Sequence, residues 1–176
     1  MSQRLFFALW PDDDLRERIA TVALPRLAGT EGKPQRPDQW HVTLVFIGQV
    51  AANRVDAVLC SAAEVRCVPF SVSFETIEFW RKPHVVCMTA STTPAPCIGL
   101  VSDLRAALTQ EGFEVEDREF RPHVTLARKV SAWPLSTRVD PVVWPAQRFA
   151  LVQSVTGSGG SRYEPLHWWN LGIETN

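Results

Sequence analysis

The chain has 176 residues, 45% hydrophobic and 21% charged, which excludes a disordered protein and supplies enough apolar side chain for a sizeable core. A net charge of −1 with a pI near 6.4 argues against a protein that coats long nucleic acid through counterion release, so a nucleic-acid ligand would be short or held at one end. No apolar run approaches the roughly 20 residues that cross a bilayer, and Met1-Ser2-Gln3-Arg4 runs into a short apolar strand without the pattern of a signal peptide. A soluble cytoplasmic protein with no membrane partner is expected.

In chain order, Arg4 to Trp10 reads as a buried strand ended by Pro11. Asp12, Asp13 and Asp14 supply a cap and first-turn negative charge for a helix carrying Leu15, Ile19, Val22 and Leu27, a better account than metal ligation. Pro25 is expected to end or bend that helix. A Gly- and Pro-rich loop over 29–37, with Lys33 and Arg36, leads to a strand from about Trp40 to Ile47 that stops at Gly48. Val55, Val58, Leu59, Ala62 and Ala63 mark the apolar face of a second helix.

After Pro69, residues 70–79 alternate as a long strand whose parity slips near Glu75 to Ile77, the mark of a bulge. Residues 81–83 turn, and His84 to Ala90 form another strand. Ile98, Val101, Leu104, Ala107 and Leu108 signal a third helix, with Gly112 as its stop. A strand at His123 follows, then strands over 149–155 and 163–171 joined by a turn at 157–160. Trp144, Trp168 and Trp169 read as covers for hydrophobic surface, His84 and His167 as partly buried structural histidines, and Cys60, Cys67, Cys87 and Cys97 as buried reduced thiols.

Two stretches stand out: His41-Val42-Thr43-Leu44 and His123-Val124-Thr125-Leu126. Alternation on a strand sets His and Thr on one face and Val and Leu on the other. Each copy offers an imidazole that moves protons and a hydroxyl that holds an oxyanion, so two copies face to face can work a phosphate from both sides. The order apolar strand, helix, His-x-Thr strand occurs over 5–46 and again over 84–128, an internal duplication whose pseudo-twofold axis would set the two polar faces across a shared cleft. The expected fold is α+β, a single bilobal domain over 1–176, each lobe an antiparallel β-sheet with helices on its outer face. A monomer without an obligate protein partner is consistent with its size and charge.

With Arg121-Pro122 before the second motif, Ala127-Arg128 after it, the opening Arg4 to Leu9 and the ending Ser154, Tyr163, Leu166, Trp169 and Leu171, the chain resembles the two-histidine phosphoesterase superfamily. Within it, the similarity is greatest to the LigT-like RNA 2′,3′-cyclic 3′-phosphodiesterases, historically called 2′-5′ RNA ligases. The resemblance implies catalytic His41 and His123, phosphate-binding Thr43 and Thr125, and a basic phosphate contact at Arg128. It also implies hydrolysis of 2′,3′-cyclic phosphate ends of RNA or nucleotides to 2′-phosphates.

One neutral and one protonated imidazole coexist near neutral pH, and the hydroxyls supply donors, so catalysis without metal or cofactor is expected. Two alternatives stand beside hydrolysis: 2′-5′ RNA ligation by the reverse reaction, and a nucleotide-binding module without turnover. Strict alternation puts Arg128, at an offset of five, on the face opposite His123, so its side chain reaches a phosphate only if the strand twists or bulges. The matching position of the first copy is Phe46, which would make the cleft basic on one side and aromatic on the other and so orient a nucleotide. Lys33, Arg36 and Arg121 are candidate nucleic-acid contacts, with solvated surface charge at least as good an account.

Overall fold

Alternating and continuous apolar runs become strands, and helical stripes become helices, in a computed structural model that describes residues 2–134, 136–157 and 160–172. Strand β1 (Ser2–Leu9) leads into helix α1 (Asp13–Leu27), where Asp12 Oδ1 accepts the Leu15 N–H at 2.8 Å and Asp13 and Asp14 face the positive end of the helix dipole. Leu15, Ile19, Ala23 and Leu27 form the buried stripe; Pro25 sits inside the last turn and does not end the helix.

A two-residue strand β2 (Lys33–Pro34) precedes β3 (Val42–Ala51). Strand β3 continues through Gly48, contrary to the expected stop, because Gly48 takes φ +89° where Ile47 bulges out of register with β1. Helix α2 (Val55–Ala63) buries Val58, Ser61 and Ala62, whereas Ala63, five positions after Val58 and so about 140° around the axis from it, is exposed.

Strand β4 (Phe70–Trp80) carries the expected irregularity, between Phe74 and Thr76. His84 lies in an exposed turn at φ +64° rather than at a strand start, before β5 (Val85–Thr89). Helix α3 (Ala95–Gln110) is followed by Gly112 at φ +77°, then by β6 (His123–Arg128), β7 (Ser136–Ala146), β8 (Arg148–Gly157) and β9 (Gly160–Asn170). Strand β7 escapes sequence reading because Pro141 and Pro145 interrupt it; prolines are tolerated there because β7 lies at the sheet's edge. The expected turn at 157–160 includes 158 and 159, which lie outside the described residues.

The strands form one sheet in the order β7-β4-β5-β6-β3-β1-β8-β9, with β2 added on β6 and every pairing antiparallel. At its middle, β3 and β6 pair through a single register position, Val42 opposite Val124. Two half-sheets therefore meet at the start of the two His-x-Thr motifs. The sequence duplication is visible as β1-α1-β3 and β5-α3-β6, each a pair of adjacent antiparallel strands joined by a helix.

One large core joins the helices to the sheet and contains Phe7, Trp40, Phe74, Met88, Leu104 and Phe149. Trp144 belongs to it, and Trp169 stacks on Phe149 at 5.1 Å. A second, small cluster of Phe6, Ala8, Ala150 and Val152 comes from β1 and β8, with Tyr163 and Trp168 of β9 and Trp10, just after β1, packed against it. Cys87 and Cys97 are buried as expected, but Cys60 is exposed and Cys67 half-buried, because α2 turns Cys60 away from its packed face. His167 is also exposed, beside Trp169 on β9.

Candidate active site

The register of β5 with β6 explains how a side chain five positions from His123 reaches its face. Cys87 pairs with Thr125 and Val86 with Ala127, which leaves Leu126 as an extra residue. That bulge reverses the alternation, and Arg128 joins His123 and Thr125 in lining one cleft. Strand β3 does the same at the equivalent position: Ala8 pairs with Thr43 and Phe7 with Val45, so Leu44 is extra and Phe46 lines the cleft with His41 and Thr43. The cleft encloses about 450 Å³. All six expected site residues, His41, Thr43, Phe46, His123, Thr125 and Arg128, border it.

Both imidazoles are oriented by the backbone two residues earlier. His41 Nδ1 lies 2.7 Å from the Gln39 carbonyl and His123 Nδ1 lies 2.8 Å from the Arg121 carbonyl. A carbonyl oxygen only accepts, so each Nδ1 carries the hydrogen and each Nε2 is left for the chemistry. Thr43 Oγ1 lies 3.1 Å from His41 Nε2, whereas Thr125 Oγ1 lies 3.9 Å from the Cys87 thiol.

Each ring is also framed by aromatics. His41 stacks on Trp10 with ring centroids 5.4 Å apart and planes at 9°, and Phe6 and Tyr163 close it in at 5.0 Å each. His123 lies 4.6 Å from Trp80. Burial in this frame disfavours the imidazolium and lowers the His41 pKa to about 4; the Gln39 carbonyl opposes that shift, and the positive charges of Arg128 and His123 add to it. His123 is lowered in the same direction, again chiefly by burial, with Arg118, Arg128 and Arg121 contributing.

The cations around the cleft differ in their partners. Arg121 Nη2 donates to both oxygens of Glu78 at 2.7 and 2.9 Å, and Glu78 also accepts from Trp80 Nε1 at 3.1 Å. These bonds hold the Glu78 carboxyl below its ordinary pKa although partial desolvation pushes the other way. Arg128 has no acidic partner among the described residues. Of the other candidate nucleic-acid contacts, Lys33 pairs with Arg128 through the backbone of β2 and β6, and Arg36 is paired with Asp38.

Sequence reasoning missed Trp10 and Trp80, and gave Arg4 and Tyr163 no role at the site. Trp10 follows β1 and Trp80 ends β4, without motif spacing to mark them, whereas Arg4 and Tyr163 stood among the resemblance residues. No group of His, Cys, Asp or Glu side chains arranged to hold a metal is found among the described residues. Among the described residues, no helix is long and apolar enough to cross a membrane.

Two histidines presenting Nε2 atoms, two threonine hydroxyls and a guanidinium with no acidic partner among the described residues, all around one cleft, define a two-histidine phosphoesterase. The chain belongs to the 2′-5′ RNA ligase superfamily, whose family model matches residues 11–157. It is 30% identical over 173 residues to the RNA 2′,3′-cyclic phosphodiesterase of Escherichia coli (strain K12), covering 96% of this chain and 97% of the relative. It is 34% identical over 145 residues to the enzyme of the same name from Bacillus subtilis (strain 168), covering 77% and 78%. The crystal structure of E. coli LigT complexed with 3′-AMP superposes with a TM-score of 0.90 at 29% identity, covering 98% of this chain and all of that one.

Proposed function

We infer that the chain is an RNA 2′,3′-cyclic phosphodiesterase that opens cyclic phosphate ends of RNA or nucleotides to 2′-phosphates by acid and base catalysis from His41 and His123. The observation that carries this reading is the convergence of both motifs, with Arg128, on one cleft. One Nε2 takes a proton from water as its oxygen attacks phosphorus. The bond from phosphorus to the 3′-oxygen breaks, and the other Nε2 returns a proton to that oxygen. Burial disposes both rings toward the neutral form, and a phosphate anion in the cleft favours recharging the one that acts as acid.

Thr43, Thr125 and Arg128 place two hydroxyls and one positive charge where the five-coordinate phosphorane develops negative charge. Phe46, 40% exposed with the Arg4 guanidinium 5.0 Å from its ring centroid, offers the terminal base a face to stack on. The donor set asks for no metal, and we propose metal-independent turnover by a monomeric, single bilobal domain in the cytoplasm, with no obligate protein partner.

The test is incubation of an RNA ending in a 2′,3′-cyclic phosphate with the wild-type chain in EDTA, followed by 31P NMR of the product. A 2′-phosphomonoester is expected. Joined RNA in place of it at high concentration of 5′-hydroxyl acceptor would favour the ligase reading, and no change in the RNA would leave the cleft a binding site.

A further inference from the structure

Of the five arginines that line the cleft, Arg121 and Arg128 stand in opposite electrostatic states, and that contrast assigns them different ligands. Arg128 has no acidic partner among the described residues, as a phosphate ligand requires. Arg121 is already neutralised by both oxygens of Glu78, and its guanidinium lies 5.6 Å from the Trp80 ring centroid. Trp80 Nε1 donates to the same carboxylate, so Glu78 fixes plane and ring together. The Arg121 side chain remains 49% exposed. A guanidinium that is paired with a carboxylate and lies over the face of an aromatic ring offers its outer plane for stacking more than its charge for anion capture.

The position of this stack says what it takes. Phe46 with Arg4 belongs to the half-sheet of β1 and β3, and Trp80 with Arg121 to the half-sheet of β4, β5 and β6. The histidines stand between them, at the junction of β3 and β6. One base fills one stack. We propose that the Arg121–Trp80 stack, braced by Glu78, is the subsite for the base of the nucleotide upstream of the cyclic end, so that the enzyme selects oligonucleotide ends over cyclic mononucleotides. This rests on the reading of the cleft as a cyclic phosphodiesterase site with the terminal base at Phe46. Single-stranded bases stack on guanidinium planes as they do on aromatic rings, with little regard to sequence.

The test compares kcat/KM for three substrates: a 2′,3′-cyclic mononucleotide, the corresponding dinucleotide, and that dinucleotide with an abasic upstream residue. Wild type is expected to favour the full dinucleotide over the other two by about tenfold, the scale of one base stacked on one planar group. In Arg121→Lys, which keeps the charge and loses the plane, the ratio of full to abasic dinucleotide should fall toward one. Trp80→Phe should keep most of that ratio and Trp80→Leu should lose it. Equal wild-type rates on full and abasic dinucleotides, or an unchanged ratio in Arg121→Lys, would overturn the proposal.

A general loss of His123 orientation lowers all three rates together and leaves the ratio alone, so it does not mimic the expected result. Failure of the underlying reading shows separately, as no turnover of any cyclic substrate. The subsite is then read from tryptophan-fluorescence titration with 3′-phosphorylated mono- and dinucleotides, full and abasic, where loss of the full-to-abasic affinity ratio in Arg121→Lys supports it and equal affinities overturn it.

Discussion

The His41 and His123 copies share a four-residue motif, a bulge at the same leucine and a carbonyl two residues back on Nδ1, yet their surroundings differ at every further contact. Thr43 lies on His41 Nε2, and Ala8 stands across the ladder from it. Thr125 has Cys87 across the ladder, with the thiol 3.9 Å from its hydroxyl. His41 sits in a box of Phe6, Trp10 and Tyr163, whereas His123 has Trp80 and the Arg121–Glu78 pair. After the bulge one copy presents Phe46 and the other Arg128. In the proposed reading, duplication supplies two proton carriers and divergence around them supplies direction, with a nucleoside's base on the aromatic side of the cleft and its phosphate held from the basic side.

The largest effect is expected where the copies are still alike. His41→Ala and His123→Ala should each lower turnover of a cyclic-phosphate RNA by about 10²–10⁴-fold, the usual contribution of a positioned acid or base, in steady-state assays with folding checked by circular dichroism. Loss from one variant alone would break the symmetry of roles. At the positions that have diverged, Arg128→Leu should cost on the order of 10²–10³ in kcat, as removal of a transition-state donor does, whereas Phe46→Leu should act mainly on KM, by roughly tenfold. A kcat effect at Phe46 as large as that at Arg128 would contradict the assignment of base and phosphate to the two sides.

A smaller difference is expected between the threonines. Thr43→Val removes both an oxyanion donor and the partner of His41 Nε2, so it should move the pH profile as well as the rate; Thr125→Val should lower the rate with the profile unmoved.

The pH dependence follows from burial. Both histidines have lowered pKa values, His41 to about 4, so kcat/KM for the free enzyme should peak below pH 6.5 and fall as pH rises above it. Trp10→Leu, which opens the box to water, should move the limb belonging to His41 upward. The same shifts act on stability. Between about pH 4 and 6.5 the unfolded chain binds more protons than the folded one at His41, so its contribution is complete above 6.5 and is lost as pH falls toward 4. The thermal midpoint should therefore decline over that window, and His41→Phe should flatten the decline.

Much of this was legible in the sequence because period-two and helical patterns report which face of an element is buried. Both His-x-Thr strands, all three helices, the Asp12 cap and the irregular stretch near Glu75 follow from such patterns. The dependence of Arg128 on a bulge was also legible, since an offset of five conflicts with alternation; the bulge's location at Leu126 was not, because it is set by register with β5. Strand β7 was hidden by its prolines, which only an edge position permits. Trp10 and Trp80 carry no spacing signal, because they reach His41 and His123 from strand ends through tertiary packing. Gly48 looked like a stop and is a bulge hinge, a distinction that lies in its positive φ and its partner strand.

The central claim is that two bulged His-x-Thr strands make one acid and base centre for a cyclic phosphodiester. The most direct measurement is hydrolysis of a short RNA ending in a 2′,3′-cyclic phosphate, in EDTA and across pH 4 to 9, by wild type and by the two single histidine variants. The account predicts a bell-shaped wild-type kcat/KM with its maximum below pH 6.5, a 2′-phosphate product and near-complete loss in both variants. Wild-type turnover abolished by EDTA, or turnover retained in either variant, would contradict it.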